Sequence, residues 1–207
     1  MLMPATLRLA AAGLIGLAGV SAASALERVR GTIDKADATS LTLKTETGTE
    51  TIALTGAKVV SVVPSSLDQI KDGTFIGTAT KGENPMTAIE VVLFPESMRG
   101  TGEGHYGWDA ITDQTASGSK VKSAMTNGTV KADKPAAGGE RTLTVGYGKD
   151  GSKQIVVPAS APIVAFEPAD NSALKPGAKV FAVVDKEGGK VDGKLVAVGK
   201  DGLTPPM

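Results

Sequence analysis

Polar and apolar residues alternate along most of this chain. "RVRGTIDKA" (28–36), "SLTLKT" (40–45), "ETIALT" (50–55), "KVVSVV" (58–63), "GTFIGTAT" (73–80) and "MTAIEVVLF" (86–94) each carry it. Leu41 and Leu43, then Ile52 and Leu54, recur at a spacing of two, the period of a strand with one face in a core. Turn-forming clusters separate the runs: "TETGTE", "TGAK" and "KGENP". The pattern predicts a meander of about six short strands.

The second half repeats the plan. "NGTVKAD" (127–133) answers "RGTIDKA", "RTLTVGY" (141–147) answers "SLTLKT", and "SKQIVVP" (152–158) answers "TETIALT". Residues 163–184 lie over 59–80 without a gap, so that Val164 answers Val60, Pro168 answers Pro64 and Gly177 answers Gly73. "KVDGKLVAV" (190–198) answers "MTAIEVVLF". Six segments matching in the same order mark an internal repeat. In "PSSLDQIKDG" and "PADNSALKPG", proline closes a strand and Ser or Asn opens one helical turn. Ile70 or Leu174 then tucks beneath it, and glycine leads into the next strand. A meander leaves exposed edges, which curling into a small barrel removes. The expected fold is all-β: two tandem small OB-like β-barrels, residues 26–94 and 127–207, joined by a connector at 95–126.

Composition narrows the setting. Arg8, the small and apolar run from Leu9 to Val20 and the Ala23-Ser24-Ala25 site read as a signal peptide over residues 1–25, cleaved after Ala25. The apolar run is shorter than the roughly 20 residues of a membrane-spanning helix, and no later stretch reaches that length. A periplasmic or secreted protein is expected. The chain has no cysteine, which excludes disulfides, thiol catalysis and thiolate ligands. Without Arg8, Lys plus Arg falls from 22 to 21 against 22 Asp plus Glu, a net charge near −1. That balance argues against nucleic acid as a partner. So do strands whose aromatics are only Phe75, Phe94, Tyr147, Phe166 and Phe181.

The "GTI…LTLKT…GTETIALT" and "GTV…RTLTVGY…SKQIVVP" openings resemble small exported bacterial β-barrel domains of unknown function, OB-like and often in tandem. "FPESMRGTGEGHYGWD" (94–109) is similar to a family of exported proteobacterial proteins with a Gly-Thr-Gly-Glu-Gly-His core. Some of those carry the label of metal transporter permease, which conflicts with a chain lacking several membrane spans. The resemblance implies a fold and a compartment rather than an activity.

The connector concentrates the chemistry. Glu96, Met98, Arg99, Glu103, His105, Tyr106, Trp108 and Asp109 crowd its first part, including the only histidine and the only tryptophan. The later part, "DQTASGSKVKSAMTNG", reads as polar and mobile. A structural reading packs Tyr106 and Trp108 on a barrel and pairs Arg99 with Asp109. A metal reading joins His105 and Glu103, facing one side of an extended segment, with Asp109 or Glu96. That set would take zinc or copper; alternatively, Met98, Met125 and Met86 would offer copper thioethers beside the imidazole. A recognition reading uses Arg99, Glu103, His105, Tyr106, Trp108 and Asp109 as a binding surface. No nucleophile elbow, zinc-binding helix or phosphate loop is present, and the acids Glu96, Glu103, Asp109 and Asp113 form no specific pair. The expectation is an exported, non-enzymatic binding or assembly module of the cell envelope, acting on an envelope protein or polymer and needing no cofactor. A periplasmic metal-binding protein is the alternative.

Overall fold

The computed structural model describes residues 26–116, 118–135 and 137–207; the expected signal peptide lies outside them. The first half contributes β1 (Glu27–Ala36), β2 (Ser40–Thr45), β3 (Gly48–Ala53), β4 (Lys58–Pro64), β5 (Phe75–Lys81) and β6 (Met86–Leu93). After β7 (Gly104–Thr112) come β8 (Lys120–Pro135), β9 (Arg141–Tyr147), β10 (Gly151–Val157), β11 (Ile163–Pro168), β12 (Lys179–Glu187) and β13 (Lys190–Gly199). The fold is all-β, and helical structure among the described residues is confined to short 3-10 turns. No helix there is long and apolar enough to cross a membrane.

Five strands close into a barrel in the order β8-β9-β10-β6-β5. The parallel pairs Ile155↔Met86 and Val156↔Thr87 complete the ring. Its interior holds Ile76, Met86, Val91, Leu143, Val145 and Ile155, all buried. In the same order, β1, β2, β3, β13 and β12 form a second ring around Ile33, Leu41, Leu43, Ile52, Val180 and Val196. A single parallel pair, Asp192↔Ala53, joins β3 to β13 and completes it.

Residues 26–94 and 127–207 therefore do not each close on themselves. Each three-stranded meander is completed by the hairpin of the other half: β1–β3 by β12 and β13, and β8–β10 by β5 and β6. The tandem, one-barrel-per-half arrangement expected from the repeat is replaced by an interlocked one. Strand pairing shows an internal two-fold axis. Strands β4 and β11 lie antiparallel with Val62 opposite Phe166, flanked by Val60↔Pro168 and Pro64↔Val164. These are the residues that answer one another in the repeat, so the pairing maps onto itself. Outside this pair, β4 runs parallel to β13 and β11 parallel to β6, again equivalent contacts.

Local chemistry repeats too. A Cβ on Gly31 would lie 2.5 Å from the Lys44 carbonyl oxygen, and one on Gly128 2.3 Å from that of Gly146. Glycine at both places lets the strands cross closely beside matching bulges at Ile33/Lys35 and Val130/Ala132. The expected helical turns span Leu67–Gln69 and Asn171–Ala173; Ile70 and Leu174 are buried beneath them, in the cores of the closed barrel and the second ring respectively. Gly73 and Gly177 leave with φ of 86° and 87°, a conformation that glycine adopts without penalty. Asp170 caps the second turn by accepting from the Ser172 amide, a role the sequence assigned to Ser or Asn. The last hairpin also differs from expectation: the strand pairing sets Val91 against Val196, so the repeat there is shifted by one residue. One extra residue in the β12–β13 hairpin accounts for the shift.

The connector is not a loop. β7 pairs along β8 from Gly104↔Asn127 to Thr112↔Lys120, while β9 pairs with β8 further on, from Thr129 to Pro135. The long strand β8 thus begins inside the stretch that reads as polar and mobile. Val121 and Met125 turn inward there, packing with Ile111, Ala79 and Ile89. This strand-opposite-strand register is invisible where Gly, Ser and Thr dilute the alternation.

Candidate functional site

The two-fold axis leaves an apolar face outside both rings. Val60, Val62, Val164, Phe166, Val92 and Ala197 form it, with Phe181 at one side. The turn at Glu96–Met98, its counterpart at Lys200–Gly202 with Leu203 and Met207 beyond it, and strand β7 cover it. The cover is incomplete. Between it and the face lies a cavity of about 530 Å³, within the range of small-molecule sites.

Its wall is aromatic and thioether-rich. Phe94, Tyr106, Trp108, Phe166 and Phe181 line it, as do Met98, Met125 and Met207. Phe94 meets Phe166 edge-on at 5.1 Å, and Trp108 approaches Phe181 at 6.2 Å. Because β7 alternates, Tyr106 and Trp108 face this cavity together, tilted at 57° with centroids 6.1 Å apart. Arg28 lies over the Trp108 ring, 3.9 Å from its centre, so one indole face is occupied.

Charges gather at the edge. Arg28, Lys58, Lys194 and Glu103 line the cavity. Lys58 and Lys194 are exposed; Lys194 lies 3.4 Å from Asp185, whereas Lys58 has no ion-pair partner among the described residues. Glu103 accepts from the Gly148 amide at 2.9 Å. Asp109 does not pair with Arg99, correcting that expectation. It bridges Arg28 at 3.2 Å and Arg30 at 2.7 Å. Arg99 instead chelates Glu96 at 2.6 and 2.7 Å and donates to the Gly73 carbonyl, tying the connector to the start of β5. The reason is topological: β1 is carried beside β7 by its pairing with β12, a neighbour that sequence distance conceals.

Several buried polar atoms beneath and beside the cavity have no protein partner: Arg30 Nη2, Glu90 Oε2, Trp108 Nε1 and Asn127 Oδ1. Glu90 is wholly buried and accepts from the Ala79 amide with its other oxygen, at 2.9 Å. Burial pushes its carboxyl up to about 8, against the opposing pull of the Ala79 hydrogen bond and Arg30.

The expected metal ligands each have protein partners of their own. His105 faces away from Tyr106 and Trp108; its Nδ1 is 2.8 Å from Thr126 Oγ1 and its ring stacks on Tyr147. Burial, then Lys153, holds its imidazole below the ordinary value. Met98 is buried in the cavity wall, and Asp109 is held by two arginines. Among the described residues no group of three or more His, Asp and Glu side chains is placed to hold a metal ion.

Of the six expected binding residues, Glu103, Tyr106 and Trp108 line the cavity; Asp109 orients Arg28, while Arg99 and His105 brace the connector. Sequence reasoning missed Arg28, Lys58, Phe166, Phe181 and Lys194, which lie far from the connector in the chain. One signal was present. Phe166 answers Val62 and Phe181 answers Gly77, so aromatics appear where the other repeat is small. Comparison with known families, curated proteins and solved structures returns no significant match.

Proposed function

We propose that this chain is an exported, non-enzymatic binding or assembly module of the cell envelope, periplasmic or secreted. In this reading the interlocked OB-like units are a scaffold and the cavity under β7 is the binding site. The observation that carries it is the cavity of about 530 Å³, apolar in its wall, covered by β7 and the turns that follow β6 and β13, and reaching the surface beside Tyr106. A repeat that only needed stability would have its symmetric apolar face fully covered. Here the cover leaves room for a ligand and places the only tryptophan in its wall.

The test uses a neutral apolar fluorophore, N-phenyl-1-naphthylamine, titrated into the protein with Trp108 as energy donor. Saturable binding with one equivalent, lost in Val183→Phe, which intrudes on the cavity from β12, is the expected result. Absence of saturable binding overturns the reading. Export has its own check: the protein recovered outside the cytosol begins at Leu26 by mass spectrometry.

A further inference from the structure

We infer that the cavity takes a single acyl chain bearing an anionic head, as in a long-chain fatty acid, with the chain against the aromatic and methionine wall and the head among the cations at the edge. This rests on the cavity being the binding site proposed above, and three features select the ligand class.

The wall offers Met98, Met125 and Met207 beside Phe94 and Phe166. Unbranched thioethers adapt to a flexible chain, and such a wall gains from apolar area rather than from directional bonds. A flat sugar ring or base would need an open aromatic platform. Trp108 does not provide one, because Arg28 covers one indole face and Tyr106 is tilted against it. The edge carries three cations against one lining acid, Glu103, which already accepts from Gly148. Arg28 is held by Asp109 and Lys194 lies 3.4 Å from Asp185, which leaves Lys58 without an ion-pair partner among the described residues. Signal cleavage after Ala25 would add the amino group of Leu26, itself a lining residue. Anionic heads complement this edge; cationic ones are repelled.

The experiment measures binding by calorimetry, below micelle-forming concentrations, for fatty acids of increasing length, for the alcohol of matching chain and for an alkyl trimethylammonium. The expected result is one site, about fourfold tighter binding per added methylene until the cavity is full, and a preference for acid over alcohol of roughly three- to tenfold. The trimethylammonium should bind weakest. In the Lys58→Gln/Lys194→Gln double variant, altered only at exposed side chains, acid and alcohol should converge. Equal binding of acid and alcohol to the unaltered protein overturns the anionic assignment while leaving the cavity as a binding site. Acid binding that survives Val183→Phe puts the chain elsewhere and overturns the inference. If no chain with any head group binds, this inference and the cavity reading fall together.

Discussion

Glu90 is the residue at which burial overrides ordinary side-chain chemistry. Its carboxyl titrates near 8 in the folded protein and near 4.5 when unfolded. Between those values the folded state therefore binds more protons than the unfolded chain. The resulting stability is fully present below about 4.5 and is lost as pH rises through 8. The slope should be on the order of 1 kcal/mol per pH unit across that window. Glu90→Gln keeps an acceptor for the Ala79 amide and cannot ionise, so urea unfolding at pH 5 and pH 8 should show this slope flattened. An unchanged slope would show that other groups set it. Asp109 sits between Arg28 and Arg30 and bridges both. Its side chain is 31% exposed, and water screens part of its effect. Asp109→Asn should cost roughly 1–2 kcal/mol in chemical denaturation and should blue- or red-shift Trp108 emission, since Arg28 loses the partner that holds it on the indole. A variant with unaltered emission would count against that coupling.

At the scale of elements, paired glycines test whether the repeat is structural or only textual. Gly31 and Gly128 occupy equivalent crossings where a methyl group would meet a backbone oxygen at 2.5 and 2.3 Å. Backbone cannot yield as a flexible side chain can. Gly31→Ala and Gly128→Ala should each destabilise by roughly 1–3 kcal/mol, with similar drops in melting temperature because both sites serve the same bulged crossing. By contrast, a Cβ at Gly107 on β7 meets nothing within 4 Å, so Gly107→Ala should be nearly neutral in the same measurement. Strand positions were legible at this scale for a simple reason. β2 and β9 have the bounds that alternation predicted, each with one face turned into a core. β7 was not legible. Its alternation is confined to Tyr106 and Trp108 before the irregularity between Trp108 and Ile111, and the face they cover is made by distant strands, so the period is too short to mark it.

For the whole molecule the interlocked topology makes the halves interdependent. β1 pairs with β12 across well over a hundred residues, and β5 pairs with β8 across the connector. Neither residues 26–98 nor residues 99–207 contains a meander together with the hairpin that completes it in this fold. Each fragment alone should lack a cooperative thermal transition by circular dichroism, while an equimolar mixture should recover one. The intact chain should unfold in a single calorimetric transition and refold slowly, as long-range pairing requires. Two resolved transitions, or a folded monomeric fragment, would restore independent tandem barrels.

The sequence by itself determined the all-β class, most strand positions, the internal repeat and the unusual concentration of side chains in residues 98–109. All of these depend on periods and spacings carried within short stretches of chain. Tertiary structure alone decided which hairpin completes which meander. A repeat has two equivalent partners for every strand, and local pattern cannot choose between its own half and the other. That choice sets β4 against β11, creates the apolar face on the two-fold axis, and brings Arg28, Phe166 and Phe181 to Trp108. The cavity exists because of exchange between the halves, a property that no single stretch of either half encodes.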